Sequence, residues 1–180
     1  MTALAAADLT HRGLAVFPLP AGGRTPDGPW RSRCLTTPQQ VRELWPDDAN
    51  VGVACRQSSM VGLDLDVGAH GGGQQVLDEL AARLGEPWPA TFAVSTPSGG
   101  QHLYYRVPGD CTITSSSGGT TALGPGIDVR GPGRRSGGYL IGPGSVVGGI
   151  PYRITHDVPL APLPTWIASR LAPISMKEMP

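Results

Sequence analysis

The chain has 180 residues, 14 of them Lys or Arg and 14 Asp or Glu, for a formal net charge of zero. That length suits one domain with a sizeable core and leaves no room for a second large one. The neutral balance excludes a protein that holds nucleic acid by bulk electrostatics alone, so any such contact must be local. Cys34, Cys55 and Cys111 form no C-x-x-C pair and stand at no zinc-ligand spacing from His11, His70 or His156, which argues against a structural zinc site. An odd cysteine count, no leader-like start and no apolar run long enough to span a bilayer predict a soluble, cytoplasmic protein without a membrane partner. Lys177 is the sole lysine; the other basic residues are arginines, which offer bidentate geometry to phosphate.

In chain order, residues 2 to 12 read as a helix ended by Gly13, and Leu14 to Leu19 as a first strand in which Pro18 marks an edge. A loop with Arg24, Pro26, Trp30, Arg31 and Arg33 follows. Thr37-Pro38-Gln39-Gln40 has the form of a capping box with proline at the first helical position, predicting a helix from Pro38 to Trp45. Asn50 to Ala54 and Met60 to Val67 read as strands. Leu77, Leu80, Ala81 and Leu84 recur at helical spacing within Gln74 to Leu84, with Gly85 closing that helix. Thr91 to Ser95 and Gln101 to Val107 flank Pro97-Ser98-Gly99-Gly100 as a hairpin, and Ile127 to Arg130 and Tyr139 to Ile141 read as two more strands. A short helix from Trp166 to Leu171 precedes a flexible tail over residues 173 to 180. Helices and strands without regular βαβ alternation predict an α+β fold for residues 1 to 172.

Three constellations carry chemistry. In Val61-Gly62-Leu63-Asp64-Leu65-Asp66-Val67 the two aspartates share one face of a strand, with Leu63, Leu65 and Val67 on the other, buried face. Paired carboxylates so presented suit a hard divalent ion such as Mg²⁺ or Mn²⁺, or are simply a solvated face. His102 follows a turn of small residues, Ser95 to Gln101, and shares a face with Tyr104 and Arg106 while Leu103, Tyr105 and Val107 pack inward. The turn, through Ser98, Gly99 and Gly100, reads either as a phosphate cradle with His102 as an added donor or as an ordinary hairpin with a half-exposed histidine. Asp128, in Gly126-Ile127-Asp128-Val129-Arg130, supplies a third carboxylate. Three carboxylates on adjacent strands can bind two ions about 4 Å apart. Arg130 reads equally as an ion-pair partner of Asp128 and as a phosphate contact.

The order of these motifs, followed by Gly137-Gly138-Tyr139-Leu140-Ile141-Gly142-Pro143-Gly144-Ser145, resembles the bifunctional DNA primase/polymerase (prim-pol) domain of the archaeo-eukaryotic primase superfamily. The family's acidic pair, small-x-His element and hydrophobic-Asp element match Asp64 with Asp66, His102, and Asp128, over about residues 5 to 170. The resemblance implies a core like an RNA-recognition-motif sheet with an amino-terminal α/β portion packed beside it. It also implies template-directed synthesis from NTP or dNTP substrates on single-stranded DNA, with Asp64, Asp66 and Asp128 holding the metals and His102 contacting nucleotide phosphates. Family members commonly continue into a helicase, so a replicative helicase, fused or separate, is an implied partner. Arg24, before Thr25 and Pro26, stands where the family commonly carries lysine. The inserted Gly131 to Ser136 brings Arg134 and Arg135, which read equally as template-phosphate contacts and as a solvated loop. Two other classes fit the same residues less fully: a catalytically silent nucleotide- or nucleic-acid-binding module, and a metal-dependent phosphodiesterase, for which no histidine pair or tyrosine nucleophile is positioned.

Overall fold

Among the described residues, short strands and four α-helices build the core. In a computed structural model, which describes residues 2–68, 72–118, 120–133 and 137–172, the first elements are α1 (Thr2–His11), β1 (Val16–Leu19), a 3₁₀ turn (Trp30–Arg33), α2 (Pro38–Leu44), β2 (Asn50–Ala54) and β3 (Met60–Leu65). Then come α3 (Gly72–Leu84), β4 (Ala93–Ser95), β5 (Gln101–Arg106), β6 (Thr120–Thr121), β7 (Gly124–Pro125) and β8 (Ile127–Arg130). The last are β9 (Tyr139–Ile141), β10 (Val146–Val147), β11 (Ile150–Pro151), β12 (Arg153–His156) and α4 (Thr165–Leu171). Arg134, Arg135 and the tail expected from residue 173 lie outside the described residues.

Local chemistry explains the helix boundaries. Thr37 accepts from the Gln40 N–H while the Gln40 side chain accepts from the Thr37 N–H, the reciprocal capping box predicted for α2. Gly13 and Gly85 adopt left-handed backbone, at φ of 79° and 65°, and end α1 and α3.

The strands form two main sheets. One has the order β1-β2-β9 and the other β12-β4-β5-β3-β8, all neighbours antiparallel. β6–β7 and β10–β11 are small hairpins. Pro18 does lie in an edge strand, since β1 ends the smaller sheet. The fold is α+β, as expected. The amino-terminal α1, β1, α2 and β2 make a layer, and β9 joins it from far along the chain.

The five-stranded sheet is covered on both sides. Leu63, Leu65, Leu103, Tyr105, Ile127 and Val129 pack with α3 and α4 through Leu77, Leu80, Trp166 and Ile167. Met60, Val94 and Tyr104 pack on the other side with Val51, Val53, Leu140 and Ile141 of the smaller sheet. A Cβ at Gly62 would come within 2.3 Å of Leu140 Cδ1, so a glycine there lets β9 settle directly on β3.

Three sequence expectations are corrected here. The strand read as Met60 to Val67 stops at Leu65, and Val67 is 59% exposed rather than buried. Past Leu65 the backbone is taken by other partners: the Asp66 N–H donates to the Gly126 carbonyl and the Asp66 carbonyl accepts from the Gly73 N–H, both at 2.8 Å. His102 is 3% exposed rather than half-exposed, because the smaller sheet covers that face of β5. β12, which has no counterpart in the sequence reading, is an edge strand whose four residues are all exposed, so it carries no apolar alternation to read. Among the described residues no helix is long and apolar enough to cross a membrane.

Candidate active site

Register across the larger sheet assembles the site. Asp64 on β3 lies opposite His102 on β5 and Asp128 on β8, so the three side chains form one cross-strand row facing the smaller sheet. Arg130, two residues beyond Asp128, emerges on the same face opposite Gly62.

His102 links the sheets. Its Nδ1 is 3.1 Å from the carbonyl oxygen of Ile141 on β9, which also accepts from the Tyr104 hydroxyl at 3.3 Å. Its Nε2 is 3.3 Å from Asp64 Oδ1. A carbonyl only accepts, so the Ile141 bond places a hydrogen on Nδ1 and leaves Nε2 beside the Asp64 carboxylate. β9 is an edge of its sheet, and these two side-chain donors satisfy a carbonyl that would otherwise be buried without a partner.

Electrostatics sort the carboxylates. Burial is the largest influence on Asp64 and would raise its pKa. The His102 hydrogen bond and the charges of His102, Arg130 and Arg24 outweigh it and hold the carboxyl below its ordinary value. Asp66 is exposed at the strand end, and its pKa is raised, by burial first and then by the charges of Asp64 and Asp128. Asp128 is buried and pairs with Arg130, Nη2 to Oδ2 at 3.1 Å.

These shifts have opposite signs in stability. The depressed Asp64 contributes stability that is present above the ordinary carboxylate pKa, about 3.9, and lost as pH falls through its lower folded value. The raised Asp66 does the reverse: its contribution is lost as pH rises through its folded pKa, so at neutral pH its ionised form is held against repulsion. Asp66→Asn is therefore expected to raise the melting temperature at pH 7 without divalent cation, and to leave it unchanged near pH 3. Thermal unfolding at the two pH values checks this, and a lower melting temperature at pH 7 would refute it.

The row opens on a cavity of about 560 Å³ between the sheets, within the size range of small-molecule sites. Asp64, His102 and Arg130 line it, together with Arg24, Trp30 and Arg31 from the loop before α2, and Tyr139 and Tyr152 from beyond β8. The Tyr139 hydroxyl donates to the Arg24 carbonyl at 3.1 Å and ties that loop to β9. Three arginines against one lining carboxylate give the cavity a net cationic lining beside the Asp64 row, an arrangement matched to polyphosphate.

The structure thus brings Asp64, His102, Asp128 and Arg130 together, with Asp66 within electrostatic reach. Ser98, Gly99 and Gly100 do not line the cavity. Their turn sits past the end of β3, with the Gly99 N–H donating to the Thr96 carbonyl and Gly100 packed on the Leu65 carbonyl. The sequence places Arg24 where the family commonly carries lysine and Arg31 only in a loop, gives Tyr139 as a strand residue, and does not mark Ser115, Tyr139 or Tyr152 as site residues. Arg24 and Arg31, close together in the chain, both line the cavity, whereas Arg33 pairs with Asp27.

By donor type the acidic residues fit a hard divalent ion, and the repulsion felt by Asp66 is the condition such an ion relieves. Among the described residues no three His, Cys, Asp or Glu side chains already stand grouped to hold one. Asp64 and Asp128 engage His102 and Arg130, each through one carboxylate oxygen.

A comparison with curated proteins gave no match. The model of the bifunctional DNA primase/polymerase N-terminal domain (Prim-Pol) matches residues 6–166, nearly the whole chain, and the chain belongs to that family.

Proposed function

We propose that this chain is a metal-dependent, template-directed nucleotidyltransferase, a DNA primase, a DNA polymerase or both, that makes or extends primers on single-stranded DNA during replication of a genome, plasmid or phage. The observation that carries the reading is the His102–Asp64–Asp128 row at the edge of a cavity ringed by Arg24, Arg31 and Arg130. In this reading the arginines bind the triphosphate of an NTP or dNTP, and the cavity orients it against the acidic row. Asp64, Asp66 and Asp128 would hold one or two Mg²⁺ or Mn²⁺ ions, which when bound lower the pKa of an attacking hydroxyl and neutralise phosphate charge. His102, its Nδ1 hydrogen committed to Ile141, keeps Nε2 on the Asp64 side as a donor to a phosphate oxygen. A replicative helicase, fused or separate, is the partner such an enzyme would serve.

The test is incorporation of labelled nucleotide by the wild-type chain on unprimed and primed single-stranded DNA, with Mg²⁺ or Mn²⁺. Product that needs template and metal is expected, and product on the unprimed strand identifies a primase. No incorporation under any of these conditions would overturn the reading.

One observation favours a second reading, a nucleotide-binding module without synthesis. Asp64 is already engaged by His102 and Asp128 by Arg130, a resting arrangement that a purely binding cavity can keep. Nucleotide binding without incorporation would select it.

A further inference from the structure

Tyr152 enters the cavity wall just before β12. Its backbone is held at both groups: the N–H donates to the Ser145 carbonyl at 2.8 Å, and the carbonyl accepts from the Gly144 N–H at 3.0 Å. The residue is 4% exposed, and its ring lies 5.6 Å from the His102 ring at an interplanar angle of 38°. The site is therefore rigid, and the side chain shares a wall with His102.

The hydroxyl differs from those around it. Tyr104 donates to the Ile141 carbonyl and Tyr139 to the Arg24 carbonyl, so both are committed within the protein. The Tyr105 hydroxyl has no partner but is sealed on the other side of the sheet, among the residues packed on α3 and α4. Among the described residues the Tyr152 hydroxyl makes no hydrogen bond, and the residue lines the cavity. Unlike that of Tyr105, this hydroxyl is not sealed: it opens to the cavity, where solvent or a bound group is its partner.

The surroundings identify that partner. The cavity's cations, Arg24, Arg31 and Arg130, gather negative charge, and a phosphate oxygen accepts but does not donate. Burial first, and Asp64 with it, raises the Tyr152 pKa against the opposing charge of Arg24, so the phenol keeps its hydrogen and is a donor. We infer that Tyr152 donates its hydroxyl hydrogen to a phosphate oxygen of the nucleotide held in this cavity, an assignment that rests on the nucleotide-binding reading above and adds a contact residue to it.

Tyr152→Phe tests this cleanly, because it keeps the ring and breaks no bond within the protein. Calorimetric titration of the full chain with dATP and with inorganic tripolyphosphate, each with Mg²⁺, is expected to show both bound about tenfold more weakly than by wild type. Tyr105→Phe, on the opposite face, is expected to bind both as wild type does. The melting temperature of Tyr152→Phe is expected not to fall. In incorporation assays the loss appears as a raised KM with kcat little changed.

Equal affinities for wild type and Tyr152→Phe would overturn the assignment. So would a loss seen with dATP but not with tripolyphosphate, which would place the hydroxyl on the nucleoside. A lowered melting temperature would overturn it too, by showing that the hydroxyl is bonded within the protein. Because the readout is binding, a chain that binds triphosphate but incorporates nothing would sink the polymerase reading and leave this contact standing.

Discussion

Asp64→Ala is expected to lower metal-dependent nucleotide incorporation by at least about a hundredfold while the chain stays folded. Asp64 sits at the centre of the cross-strand row, and it alone of the three aspartates lines the cavity. Two losses combine in the variant. The carboxylate that would hold a cation is gone, and His102 Nε2, 3.3 Å from Asp64 Oδ1, no longer faces an anion. The cost in stability is modest, because the Asp64 side chain is 23% exposed and water in the cavity reaches the vacated position. Asp64→Asn separates charge from shape: its amide oxygen still accepts from His102, yet it brings no anion to a metal or to the triphosphate. Both variants are therefore expected to fail alike in incorporation with Mg²⁺ or Mn²⁺, with circular dichroism unchanged. Full activity in both would remove the row from the mechanism.

Gly73→Ala is expected to destabilise the fold by about 3 kcal/mol, against the sign that helix propensity alone assigns. Gly73 is the second residue of α3, where exchanging glycine for alanine ordinarily stabilises by up to about 1 kcal/mol. Here a Cβ would stand 2.1 Å from the Gly126 carbonyl oxygen, 2.9 Å from its carbon and 3.1 Å from Leu65 Cα. All three are backbone atoms of packed elements, so no side chain can swing away. The same contact carries the Gly73 N–H to the Asp66 carbonyl and the Asp66 N–H to the Gly126 carbonyl. Forcing α3 outward therefore also moves the backbone that sets Asp66 beside Asp64. Calorimetry is expected to show a fall of roughly 10 °C in melting temperature. A rise would mean that propensity outweighs packing at this junction.

The two substitutions also mark the boundary between what local sequence encodes and what it leaves open. Thr37 to Gln40 encodes the start of α2 in four residues, because a capping box is satisfied within its own turn. Asn50–Ala54, Ile127–Arg130 and Tyr139–Ile141 are strands over the ranges their residue pattern predicts, since β-branched and apolar alternation is a local property. The β4–β5 hairpin follows from the small residues between Ser95 and Gln101, and of the α3 stripe Leu77, Leu80 and Ala81 are buried as their spacing demands, while Leu84 at the helix end is exposed. Candidate site residues were legible for the same reason: an acidic pair within an apolar strand and a histidine after a glycine turn are short patterns.

What lay beyond local pattern was partnership. β8 and β9, successive in the chain, go to different sheets, and nothing within either strand states which edge it will meet. The register that lines up His102, Asp64 and Asp128 is a property of three strands at once. Only the packing of the smaller sheet on β5 buries His102 and supplies the Ile141 carbonyl, 39 residues away, that both it and Tyr104 bond. The loop of Arg24 and Arg31 is brought to the acidic row by Tyr139, 115 residues from Arg24. The sequence by itself determined the helices, the longer strands other than β12 and the acidic and histidine motifs, since these depend on spacings of a few residues. Tertiary structure alone decided the cavity, its arginine rim and the place of Tyr152 in its wall, because long-range contacts are selected by the joint burial of both sheets and not by any one segment.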